Sequence, residues 1–190
     1  MNITDSGKML VKQRDIIRIT TPVGTALYKS ASDNLEMINA YIEDGFTFLE
    51  SGDWVNALAA FYYSFGWLHF GITYGFFATQ ESDYPLFSSI ELPLTNLREL
   101  LEEKTQRYKL LLDKARAAAI PAPEGETVIH DTVERILMII SIYAMQGNRS
   151  FLKLQNGNAL MFFSYGHGWL DAAVRAGLLR VISDRDLFTL

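Results

Sequence analysis

The side chains best spaced for chemistry are His167, Asp171 and Arg175. They recur every four residues, and residues four apart are neighbours on a helix, so the three line one helical face. A histidine beside a carboxylate one turn away is the pairing used in general acid–base catalysis. The same spacing also makes a polar seam or surface ion pairs at a bundle edge, each worth only ~0.3–0.5 kcal/mol. Tyr63, Trp67, Tyr165 and Trp169 form a second set. They would suit a ligand pocket, and they would equally suit a core, because aromatics at helical spacing commonly fill one. Asn56 and Asn158 stand at helix starts, where capping or turn hydrogen bonds are the plainer use.

Several chemistries are excluded or disfavoured. None of His69, His130 and His167 has another histidine three or four residues away, so no helix-borne metal motif exists and no metal is expected. Without cysteine there is no thiol catalysis, zinc-thiolate site or disulfide. No glycine-rich phosphate loop or nucleophile elbow is present, and Ser164, three residues before His167, sits within a helix rather than on an exposed turn. No cofactor is expected. A net charge of -5 disfavours nucleic acid as a partner. Hydrophobic residues at 49 % supply a core, and charged residues at 21 % are typical of a globular protein.

The elements that must position these residues come from a duplication. Shifted by 102 positions without gaps, the chain shows 13 identities over the 43 aligned positions from Leu35 to Phe77. Chance would give roughly three, so the unit is written twice. Asn56-Ala57-Leu58 meets Asn158-Ala159-Leu160, Tyr63 meets Tyr165, and Gly66-Trp67-Leu68 meets Gly168-Trp169-Leu170. With one residue deleted, Leu86-Phe87-Ser88 also falls on Leu187-Phe188-Thr189. Two repeat units are expected, residues 1–90 and 91–190, packed as one compact domain.

Each unit reads as an N-terminal helix followed by a helical hairpin. In the first copy the periodicity predicts helices over about 8–19, 25–50 and up to Tyr74, with Leu27, Ala31, Leu35, Ile38, Ile42 and Leu49 inward. Asp53 is expected to cap the third helix and Gly75 to end it. The second copy gives helices over about 94–119, 128–154 and 158–176, with a turn at Asn156-Gly157. No period-two strand pattern persists. The fold class is all-α: tandem helical hairpins packed as a pseudo-twofold bundle. Trp54 to Gln80 carries no formal charge and is long enough to cross a bilayer. Its counterpart contains Asp171 and Arg175, costly at a bilayer centre, so both helices are assigned to a core and no membrane is expected.

AYIEDGFTFLESGDWVNALAAF and FFSYGHGWLDAAVRAGLL together resemble an archaeal family, domain of unknown function 357. Its pattern runs from a tyrosine-x-x-aspartate-glycine stretch through a glycine-aspartate turn and asparagine-alanine-leucine to histidine-glycine-tryptophan-leucine-aspartate and a final glycine-leucine. The first copy matches the front through Tyr41, Asp44, Gly45, Phe48, Gly52, Asp53 and Asn56, and departs at the back with Phe65 and His69. The second copy matches the back through Tyr165, His167, Gly168, Trp169, Leu170 and Asp171, and departs at the front with Gln146. The resemblance implies an all-helical cytoplasmic protein and no particular activity. The leading expectation is a non-enzymatic interaction or scaffold protein with a protein partner or self-association. Its rival is a small-molecule-binding or hydrolytic protein using His167, Asp171 and Arg175 beside Tyr165. A concave setting for His167 would favour the rival, and a convex solvated one the scaffold.

Overall fold

The computed structural model describes residues 2–80 and 97–189. The expected helix start at Leu94, the unit boundary between residues 90 and 91, and the alignment of Leu86-Phe87-Ser88 lie outside the described residues. Within them the first copy contains α1 (Ile3–Ile16), α2 (Ala26–Glu50) and α3 (Trp54–Tyr74). The second contains α4 (Arg98–Ala118), α5 (Val128–Leu152) and α6 (Asn156–Arg175). The helices of the two copies occur in the same order, and α2 and α5 also share an N-cap: Thr25 and Thr127 each accept a backbone N–H three residues on. Among the described residues no helix is long and apolar enough to cross a membrane.

The core forms where α3 packs on α6, with α2 on the outside of α3 and α5 on the outside of α6. At the crossing, Gly66 meets Gly168. A Cβ on Gly66 would strike the Tyr165 carbonyl oxygen and the Gly168 backbone, and a Cβ on Gly168 would strike the Tyr63 carbonyl oxygen and Gly66 Cα. A mid-helix glycine costs about 1 kcal/mol relative to alanine. The close backbone approach offsets it by enclosing Trp67, Leu68, Leu170 and Trp169, all buried. Each hairpin repeats one further contact: the Phe61 ring lies against Gly45, and the Phe163 ring against Gly147.

The structure departs from expectation in four places. Helix α1 begins at Ile3 because Asn2 caps it, accepting the Asp5 N–H at 2.8 Å. Its first turns are polar and include Gly7, whose missing Cβ admits the Phe61 ring, so apolar periodicity does not reveal them. Leu27 is exposed rather than inward, lying in the first turn of α2 beyond the reach of α3. Short antiparallel pairs also appear: β1 (Arg18–Ile19) with β2 (Phe77–Ala78), and β3 (Ala119–Pro121) with β4 (Leu179–Val181). They tie the end of each first helix to the end of each third, and strands this short carry no legible alternation.

The fourth departure is the turn between α5 and α6. Asn156-Gly157 lies inside the first turn of α6, and the reversal falls at Lys153–Gln155. It repeats two bonds of the first copy's turn: Leu154 N–H to Phe151 O and Gln155 N–H to Ser150 O match Gly52 N–H to Leu49 O and Asp53 N–H to Phe48 O. The turn needs a left-handed residue, supplied by Gly52 at φ 79° and by Leu154 at φ 57°. A side chain in that region costs roughly 1–2 kcal/mol, and exposed Leu154 gains little packing in return. Leu154→Gly is therefore expected to raise stability by about 0.5–1 kcal/mol after the added freedom of the unfolded chain is counted. Urea unfolding measures it, and a loss of stability would show that Leu154 makes a contact worth more than the strain.

Candidate functional site

The glycine crossing lets a tyrosine one turn earlier on each helix reach across to the other. Tyr63 O–H donates to Asp171 Oδ2. At the positions 102 residues on, the Tyr165 hydroxyl meets His69 Nδ1 at 2.8 Å. These are the same contact written twice, with a carboxylate at one end of the pseudo-twofold pair and an imidazole at the other. Each tyrosine also tilts against a second one at a centroid distance of 4.4 Å, Tyr41 for Tyr63 and Tyr143 for Tyr165.

The two links differ in how completely they are satisfied. His69 is buried, with Tyr165 at Nδ1 and Gln13 Oε1 3.3 Å from Nε2. Burial pushes its pKa down to about 3, so the ring is neutral near pH 7; Nε2–H donates to Gln13 and Nδ1 accepts from Tyr165. Asp171 is equally buried but incompletely paired. Oδ2 accepts from Tyr63 and from the Thr189 N–H at 3.4 Å, whereas Oδ1 has no hydrogen-bond partner among the described residues. His167 Nε2 lies 3.8 Å from Oδ1, beyond hydrogen-bond reach, and donates instead to the Leu187 carbonyl at 3.2 Å. Burial pushes the Asp171 carboxyl above its ordinary range, opposed by His167 and by the bonds from Tyr63 and Thr189. The Tyr63 phenol is held well above 10, first by burial and then by the Asp171 charge, so it stays a donor.

Asp171 and His167 open onto a cavity of about 290 Å³. Helix α2 supplies Tyr41 and Phe48 to its wall and the exposed Asp44 to its rim. Helix α3 contributes Asn56, Ala59, Ala60 and Tyr63; α4 contributes Tyr108 and Leu111; Leu187 and Thr189 complete the enclosure. Ala59 and Ala60 are what leave the space open, since the corresponding residues of the second copy are Met161 and Phe162. The Asn56 side chain donates to Asp53, which also caps α3 through the Asn56 N–H at 3.0 Å.

Of the residues singled out by sequence, the fold brings His167, Asp171 and Tyr63 together on this cavity. Arg175, one turn further along α6, is half-buried and does not line it. Trp67 and Trp169 lie inside the core, and Tyr165 belongs to the His69 link. Ser164 is fully buried and is not on the cavity wall. Tyr41, Asp44, Phe48 and Tyr108 were missed as site residues. They are remote in sequence from His167, although the first three belong to the front stretch on which the family resemblance rests. The cavity thus joins the front stretch of the first copy to the back stretch of the second. His69 and Phe65, which depart from the pattern, lie instead at the other end of the pseudo-twofold pair, His69 against Tyr165 and Phe65 against His69.

The neutral, buried His69 sets a pH dependence. Its folded pKa is depressed to about 3 from an ordinary 6.5, so its contribution to stability is present above pH 6.5 and is lost as pH falls towards 3. The loss approaches ~1.4 kcal/mol per pH unit inside that window. Asp171 works with the opposite sign, because its raised pKa favours the folded state on protonation. In thermal unfolding from pH 7 to pH 4, wild type should lose stability more steeply than His69→Gln; parallel curves would mean that His69 titrates normally.

The family model described as "Protein of unknown function (DUF357)" matches residues 7–77 and again residues 107–179. No curated protein and no solved structure matches the chain. Two matches that together span most of the sequence, each covering one helical unit, establish that the chain belongs to the DUF357 family and carries it as two tandem copies.

Proposed function

We propose that the protein binds a small molecule in the cavity shared by Tyr63, His167 and Asp171. The observation that carries this reading is the composite wall. Asp44 occurs in the first copy only, its counterpart being Gln146, and His167 and Asp171 occur in the second only, their counterparts being Phe65 and His69, and these three share a single space. Residues needed only to pack a unit have no reason to divide between the copies in this way. Arg175 stands outside the site, and His167, whose Nε2–H is committed to the Leu187 carbonyl, serves as a polar anchor. The cytoplasmic location implied by the family resemblance goes with this proposal. Ligand-observed NMR of metabolite mixtures tests it. Hits should saturate one site per chain and be lost in Ala60→Phe, which installs the second copy's own residue in the cavity. His167→Ala should stay folded and weaken the same hits. If Ala60→Phe abolishes no hit, the cavity is not a ligand site.

Self-association is a second reading, favoured by the outer face of α5. Met138, Ile142, Met145 and Leu152 are 62 %, 43 %, 59 % and 83 % exposed along one stripe, whereas the equivalent residues of α2 are Glu36, Ala40, Glu43 and Glu50. An apolar stripe confined to one copy fits an added contact rather than a requirement of the fold. Sedimentation over a hundredfold concentration range should show a dimer that Ile142→Glu dissociates. A monomer at every concentration would remove this reading.

A further inference from the structure

The cavity's charge and surface chemistry point to a class of ligand, and the inference rests on the binding reading above. Two carboxylates line it: Asp44 on the exposed rim, and Asp171, only 2 % exposed, at the inner end. Among the described residues no lysine or arginine lines it. Arg107, close enough to Tyr108 to act on its phenol, is exposed on α4 and is not part of the wall. The apolar part of the wall is shared between the rings of Tyr41, Phe48 and Tyr108 and the aliphatic side chains of Leu111 and Leu187. A buried carboxylate normally has its lone pairs occupied, because an unpaired buried charge is costly. Asp171 Oδ1 breaks that rule: its nearest basic group, His167 Nε2, is 3.8 Å away and already committed to the Leu187 carbonyl. The corresponding position of the other link is His69, both of whose ring nitrogens are engaged. The missing donor is therefore specific to the end of the pseudo-twofold pair that opens onto the cavity.

We infer that the ligand is a small organic cation, a protonated amine with a compact apolar or aromatic body. Its ammonium N–H groups donate to the Asp171 carboxylate and its charge is shared with Asp44, while its body lies against the tyrosine and phenylalanine rings. Carboxylate pairing supplies charge-assisted hydrogen bonds, and aromatic faces attract a cation at close range. A volume of about 290 Å³ holds roughly ten non-hydrogen atoms, taking ~30 Å³ for each water-sized group. Anionic ligands are disfavoured by both carboxylates, and a neutral donor would pair Asp171 Oδ1 without offsetting the charge of either carboxylate.

Calorimetric titration of the full chain near pH 7 with benzylamine, benzyl alcohol and benzoate tests the inference, because the three share shape and differ in charge. Benzylamine should bind at least tenfold more tightly than benzyl alcohol, and benzoate should show no binding. Asp171→Asn should erase the preference for the amine. Asp44→Asn, on the exposed rim where folding is not at stake, should reduce amine affinity severalfold and serves if Asp171→Asn fails to fold. Equal or tighter binding of benzyl alcohol, still abolished by Ala60→Phe, would overturn the cation while leaving the cavity as a ligand site. Amine binding that survives Asp44→Asn and Ala60→Phe unchanged would overturn the cation at this site. No binding by any of the three would overturn it as well, and the metabolite screen would then decide the cavity separately.

Discussion

The absence of two Cβ atoms governs the architecture. With Gly66 and Gly168 at the crossing, α3 and α6 approach until the backbone of one touches the backbone of the other. That approach fixes how far a side chain one turn away can reach, and hence whether Tyr63 arrives at Asp171 and Tyr165 at His69. Alanine at either glycine would push the helices apart against the Tyr63 or Tyr165 carbonyl. Both tyrosine links would lengthen together, and the cavity would lose one of its walls. The core packing and the polar site therefore depend on the same contact.

The polar residues near this crossing show how a buried pair can be settled in two ways. His69 gives up its charge and finds a partner for each ring nitrogen, so that link is complete without help. Asp171 sits where burial also opposes charge, yet Tyr63, Thr189 and His167 all act to keep it ionised. Partial satisfaction of this kind is unfavourable in a core and useful beside a cavity, where a ligand can complete it. The difference follows from the residues at equivalent positions: His69 against Asp171, and Gln13, which completes the His69 link, against Ala115.

Much of the architecture was legible because duplication supplied an internal comparison. Equivalent apolar positions marked the helices, and Gly66 and Gly168 recur at equivalent positions within them. The turn before α6 was misread because Asn156-Gly157 is a strong local signal, and the repeat geometry overrode it at the cost of a left-handed Leu154. Within the site, His167 and Asp171 were legible from helical spacing, and Arg175 followed the same spacing to a position outside the cavity. Trp67 and Trp169 carry no sequence mark that separates a core ring from a wall ring. Only the depth of the crossing decides it. Asp44 and Tyr108 could not be joined to His167 from spacing at all, because they come together through the packing of one copy on the other.

Ala60 and its counterpart Phe162 have a consequence for how such a protein can change. In an assembly of two identical chains, any substitution appears at both ends of the twofold axis, so a cavity opened at one end is opened at the other and the core loses packing twice. Covalent fusion removes that constraint. A small residue can stand at position 60 while a ring remains at position 162. One end of the pseudo-twofold pair then keeps its packing while the other is free to vary the pocket that both copies line, a division of labour that a symmetric dimer cannot encode.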